Sequence, residues 1–142
     1  MNKNIQTIAK ILLWALLLSL LASCTRDDDD EDFINPRDRY LGTWLCKDAD
    51  GASYRATISS DPSHSSYVII KNFYDYKGTV RALVSSETIT VSNQEMVMPA
   101  GVIGTYWCEG IGSLTKKSGT FIIDWRKYAA NEDETTSIYT KE

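Results

Sequence analysis

Histidine is nearly missing from this sequence: His64 is the only one among 142 residues. That scarcity removes the usual general base of a serine or cysteine nucleophile and the commonest zinc ligand. His64 also lies in a polar loop, Asp61-Pro62-Ser63-His64-Ser65-Ser66, and no Gly-x-Ser-x-Gly elbow accompanies it. Cysteine occurs three times, at 24, 46 and 108, with no Cys-x-x-Cys pair, which argues against a redox motif or a metal site. A basic excess is missing too. Fifteen basic residues against nineteen acidic ones give a net charge of -4, the wrong sign for a nucleic-acid partner. No apolar run reaches the roughly 20 residues of a membrane-spanning helix. Gly101, Gly104, Gly110 and Gly112 form no phosphate cradle; they lie in or beside strand-like segments and read as bulges or bends. Glu109 and Asp124 are the only strand-embedded carboxylates to consider for hydrolytic work. One reads as solvent-facing and the other as a partner for Arg126 or Lys127. No nucleophile–base constellation is visible, so the chain reads as non-catalytic, with no cofactor and no metal.

What the sequence does have begins with an address. Lys3 and Lys10 give a positive start, and Ile11 to Leu21 is a short apolar stretch. This is the layout of a secretory signal over residues 1–23. Leu21-Ala22-Ser23-Cys24 follows. It resembles the lipobox of bacterial lipoproteins, in which a leucine and two small residues precede the cysteine that is acylated. The resemblance implies a thioether-linked diacylglycerol on Cys24 and an acyl chain, such as palmitate, on its amino group. Two or more chains hold a protein stably on a bilayer. Loss of residues 1–23 removes two lysines and no acid, leaving 13 basic residues against 19 acidic ones and a charge near -6. The membrane is then reached through lipid and not through charge.

Asp27, Asp28, Asp29, Asp30, Glu31 and Asp32 come next. Six like charges repel one another and keep residues 24–39 extended as an acidic tether. An acidic run just after a lipidated cysteine also resembles the surface-export signal of lipoproteins in some Gram-negative bacteria. That resemblance implies an outer-membrane protein facing the cell exterior; the alternative is the periplasmic leaflet.

From Tyr40 to Glu142 the pattern changes to alternation of period two, rich in β-branched and aromatic residues. With 43% hydrophobic residues overall, this part can bury a core and does not read as disordered. The candidate strands are 40–47, 54–60, 67–74, 79–84, 87–92, 102–111, 120–127 and 136–140. Asp48-Ala49-Asp50-Gly51, Asp61-Pro62-Ser63, Tyr76-Lys77-Gly78 and Lys117-Ser118-Gly119 carry turn chemistry between them. About eight short strands without helical crossovers predict an all-β domain over residues 40–142, an antiparallel meander. Closure into a small or incomplete barrel would remove the unpaired edges; a β-sandwich is the alternative.

Leu41-Gly42-Thr43-Trp44 opens that domain. It is similar to the Gly-x-Trp signature of lipocalin-like, or calycin, barrels. The pieces Tyr54-Arg55-Ala56-Thr57-Ile58, Ile70-Lys71-Asn72-Phe73 and Thr88-Ile89-Thr90-Val91 with Gln94 resemble small secreted lipoproteins with a lipocalin-like domain. The resemblance implies that Trp44 plugs the closed end of the barrel and that Arg126 lies over its ring. At about 100 residues the domain is shorter than true lipocalins.

Once Cys24 is spent on lipid, Cys46 and Cys108 remain. In an oxidising envelope two leftover cysteines usually pair, so a Cys46–Cys108 bridge is expected; two buried free thiols are the alternative. Trp44, Trp107, Trp125 and eight tyrosines exceed what a small core must have; most read as core filling the barrel, and the excess suggests a binding role. In the barrel, Trp44, Tyr106 and Trp125 would rim an apolar cavity for a small apolar ligand. On the outer face, aromatics would instead meet a protein or a glycan. The sequence is silent on oligomeric state.

Overall fold

A computed structural model describes residues 35–129 and 134–142. The proposed signal segment, Cys24 and the acidic residues Asp27 to Asp32 lie outside the described residues. Eight strands form the fold: β1 (Gly42–Asp48), β2 (Ser53–Ser60), β3 (Tyr67–Lys71), β4 (Thr79–Ser85), β5 (Thr88–Glu95), β6 (Trp107–Lys117), β7 (Thr120–Ala129) and β8 (Thr135–Lys141). Each pairs antiparallel with the next, and β1 also pairs with β8, so the meander closes into a barrel. It is compatible with a lipocalin-like fold.

Alternation drives the closure. In β2 the residues Tyr54, Ala56 and Ile58 are buried, while Arg55, Thr57 and Ser59 face out. The same period places Ile123, Trp125, Lys127 and Ala129 inside and Asp124, Arg126 and Tyr128 outside on β7. Two glycines on β6 thin the wall where large side chains enter. A Cβ on Gly112 would stand 2.7 Å from Ile123, 2.9 Å from Ile89 and 3.0 Å from Trp125. A Cβ on Gly110 would stand 3.0 Å from Lys127 and 3.1 Å from the ring of Phe73.

The two ends of the barrel differ. A short 3-10 helix, Pro36–Tyr40, lies across the end where β1 begins. Asn35 caps it by accepting from the Arg37 N–H. The Tyr40 hydroxyl and Arg39 Nη2 donate to the Ser86 carbonyl in the β4–β5 turn, at 3.1 and 2.9 Å. Arg37 Nη1 donates to the carbonyls of Asp61 and His64 in the β2–β3 loop. Lys141 Nζ on β8 donates to the Arg39 carbonyl at 3.0 Å. Three loops or strands therefore hold one plug, and the folded part reaches back before Tyr40. The opposite end is spanned by longer connections, residues 72–78 between β3 and β4 and 96–106 between β5 and β6.

Strand boundaries shift from those read in the sequence: Tyr40 belongs to the 3-10 helix and not to β1, β6 runs on to Lys117, and two of the shifts have a local backbone cause. β3 stops at Lys71, because Asn72 takes a left-handed backbone (φ 62°) and turns Phe73 and Tyr74 into the barrel end. β6 begins only at Trp107, because Gly101 and Gly104 at φ 90° and 126° keep the preceding segment irregular.

The expected bridge between Cys46 and Cys108 is not formed: both are free and buried. Register explains why. Cys46 aligns with Tyr139 on β8, Tyr139 with Ile123 on β7, and Ile123 with Leu114 on β6. Leu114 is six residues along the strand from Cys108, or roughly 20 Å at the rise of an extended chain. A disulfide needs Cα atoms within about 7 Å.

Candidate functional site

Trp44 sits at the plugged end, fully buried, with Nε1 donating to the Tyr40 carbonyl at 2.8 Å. The cation over its ring is Lys141, with Nζ 5.8 Å from the centroid. Arg126 does not take that place. It follows inward-facing Trp125 by one residue, so it points outward and pairs with Glu134 at 3.5 Å. The residues expected to rim one cavity are spread along the barrel: Trp44 at the plugged end, Trp125 within the wall, Tyr106 over the loop-covered end. Glu109 and Asp124 do not converge either. Glu109 faces out and accepts from the Tyr128 hydroxyl and from Asn93 Nδ2 at 3.2 Å, and Asp124 is exposed. Among the described residues no group of three His, Cys, Asp or Glu side chains gathers to hold a metal.

The interior instead holds a charged cluster beneath the loop-covered end. Lys127 has no exposure to solvent. Its Nζ lies 3.1 Å from Asp48 Oδ1 at the end of β1. It also donates to the Tyr54 hydroxyl and reaches the Phe73 carbonyl at 3.3 Å and the Tyr139 hydroxyl at 3.4 Å. Three protons thus meet four acceptors. The rings of Tyr74, Tyr54 and Tyr139 surround the amine at 4.6, 5.1 and 5.1 Å. Cation–π attraction and one carboxylate together offset the cost of removing an ammonium from water. Burial pushes the Lys127 amine below its ordinary value, and Asp48 pulls it back up. Burial pushes the Tyr54 and Tyr139 hydroxyls up, so both stay protonated donors. It also pushes the neighbouring Cys46 thiol, and Cys108, up to about 12, which leaves both thiols inert as nucleophiles.

The Phe73 carbonyl is the acceptor on which this cluster converges. The Tyr139 hydroxyl donates to it at 2.5 Å and Lys127 Nζ at 3.3 Å, and the Tyr54 hydroxyl lies within reach at 3.2 Å. The Phe73 ring is fully buried and meets Trp125 edge-on, with centroids 5.2 Å apart. Above it Tyr74, Tyr76 and Tyr106 stack in series at 5.5 and 5.8 Å, beside Met96 and Met98. Deeper in, Trp125 and Ser137 are cross-strand partners. Trp125 Nε1 and Ser137 Oγ are buried without a hydrogen-bond partner.

The sequence carried a signal for this cluster. The alternation that turns Ile123 and Trp125 inward continues to Lys127. Arg126, the barrel cation that the resemblance implies, is out of phase with that period.

A second feature lies outside. Trp107 and Ile111 on β6, Tyr128 on β7 and Ile138 on β8 are all at least a third exposed on one outer face, with Arg126 among them. Comparison with protein-family models, with curated proteins and with solved structures finds no match to this chain.

Proposed function

We propose that this chain is a lipoprotein acylated at Cys24, held on the outer membrane with its barrel at the cell surface, and that the barrel is a non-catalytic binding module for a small apolar ligand. The observation that carries the binding role is the contrast between the barrel's ends. One is sealed by a helix tied to three elements. The other is covered by aromatic and methionine side chains of two loops, and such side chains make an adaptable apolar entrance. The membrane placement rests on the likeness of Leu21-Ala22-Ser23-Cys24 to a lipobox and of Asp27 to Asp32 to a surface-export signal.

An environment-sensitive naphthalene fluorophore titrated into the full-length protein should brighten and be displaced by neutral apolar compounds. No saturable brightening would sink the binding role. Mass spectrometry of the mature amino terminus should find acylated Cys24, and protease shaving of intact cells should digest the barrel. A soluble, unacylated protein or a protected one would remove the respective placement.

A second reading, a surface protein that meets a protein or a glycan, is favoured by the outer aliphatic and aromatic face of Trp107, Ile111, Tyr128 and Ile138. Replacing Trp107 and Ile111 with serine should abolish capture of that protein or glycan under that reading and leave lipid anchoring and fluorophore binding intact.

A further inference from the structure

We infer that the Phe73 carbonyl and ring occupy the barrel's own ligand site, which takes a small neutral molecule joining a carbonyl oxygen to an aromatic or apolar body. The inference rests on the barrel being a binding module, and it names the ligand chemistry. The Phe73 carbonyl has donors within reach on three strands, Tyr139 at 2.5 Å, Lys127 at 3.3 Å and Tyr54 at 3.2 Å, the last sharing its one proton between this oxygen and Asp48. Two of those donors come from the barrel walls on β8 and β7 and the third from β2, so the donor set belongs to the scaffold and not to the loop. The ring fills a slot made for it. Gly110 leaves room where a Cβ would stand 3.1 Å from the Phe73 ring, and Trp125 supplies the edge contact.

The loop that delivers these groups is wound through left-handed backbone. Asn72, Asp75 and Lys77 have φ of 62°, 59° and 59°, three of the five left-handed non-glycine residues among those described. Such conformations persist where surrounding contacts over-determine them. Charge decides the ligand's class. Asp48 already neutralises Lys127, so a buried carboxylate would leave the cluster with an uncompensated negative charge, whereas a ketone, ester or amide oxygen replaces the peptide carbonyl without one. Trp125 Nε1 and Ser137 Oγ, buried and without a partner, offer a donor and a hydroxyl to a second polar group on the same molecule.

The test compares three probes of one shape, 2-acetylnaphthalene, 2-ethylnaphthalene and 2-naphthoate, on the full-length protein and its Phe73→Ala variant. Phe73→Ala removes the ring that anchors the loop and keeps the residue 73 carbonyl, which an added ketone can then displace from Tyr139 and Lys127, so ketone binding should tighten about tenfold over the wild type. In the variant the ketone should bind about tenfold more tightly than the hydrocarbon, the factor expected of one hydrogen bond to a charged or strongly polarised donor. Adding Tyr139→Phe removes the nearest donor, at 2.5 Å, and should shrink that preference. Equal binding of ketone and hydrocarbon would overturn the inference and leave the binding module standing. Binding of neither would remove the module itself. A ketone affinity unchanged from wild type, or a preference for the naphthoate, would also overturn it. If Phe73→Ala does not fold by near-ultraviolet circular dichroism, Phe73→Leu gives the same comparison with a smaller opening of the slot.

Discussion

Replacing Asp48 with asparagine removes the only carboxylate in contact with Lys127 among the described residues. The side chain keeps its shape and can still accept from the Tyr54 hydroxyl, which lies 3.2 Å from Asp48 Oδ1. What is lost is the counter-charge of an ammonium with no exposure. Breaking a buried pair in this way costs about 3–5 kcal/mol, a large share of the 5–15 kcal/mol that holds an ordinary domain together. For a barrel of this size the midpoint of thermal unfolding should fall by roughly 12–20 °C. The deficit should depend on pH with a definite sign. Burial already lowers the Lys127 amine, and loss of Asp48 lowers it further. Between that lowered value and the unfolded value of about 10.4, the unfolded chain holds one proton more than the native one. Stability therefore rises with pH in that window, and the gap between Asp48→Asn and wild type should narrow towards pH 10. Urea melts followed by tryptophan fluorescence at pH 6, 8 and 9.5 measure this directly. The double variant Asp48→Asn/Lys127→Met removes both charges and should recover most of the loss. A deficit under about 1 kcal/mol, or a double variant no more stable than the single one, would refute the account of the cluster as a compensated buried pair.

Three further outcomes follow from the packing and the titrating groups. Gly112→Ala should destabilise the barrel by about 1–3 kcal/mol in urea melts, since its Cβ would meet Ile123, Ile89 and Trp125 at 3.0 Å or less. Cys46 and Cys108 should resist alkylation in the native protein and both be labelled on unfolding without reductant. Their thiols are raised from 9.0 to about 12, so the stability they contribute is whole below pH 9 and is lost as pH climbs towards 12; alanine at both positions should flatten that alkaline slope. Asp61 is held below its ordinary value by the Ser63 N–H and by Arg81, 2.5 Å away. Its contribution is present above about pH 4 and lost as pH falls further, and Asp61→Asn should make acid unfolding less steep.

Much of the architecture was legible because a barrel wall has one wet and one dry side. Tyr54, Ala56 and Ile58 against Arg55, Thr57 and Ser59 already fix β2 and its inward face. The turns at Asp50-Gly51 and Ser118-Gly119 mark the strand ends, with both glycines at positive φ. Other features were hidden for physical reasons. The run Tyr67 to Tyr74 is uniformly strand-like in composition, and only the tertiary site for the Phe73 ring decides that the chain leaves the sheet after Lys71. Two cysteines on separate strands carry no information about which wall each occupies, because register across β6, β7 and β8 sets their distance. A lysine in an alternating strand is easily assigned to solvent on grounds of charge. Its partner Asp48 stands 79 positions earlier, at the end of β1, and nothing local joins the two.

The pairing of β1 with β8 has a bearing on how the protein is made. No circle of strands exists until residues 135–141 have emerged, so a chain delivered amino end first stays unclosed until β8 arrives. Contacts of such long sequence separation fold slowly, which lengthens that interval.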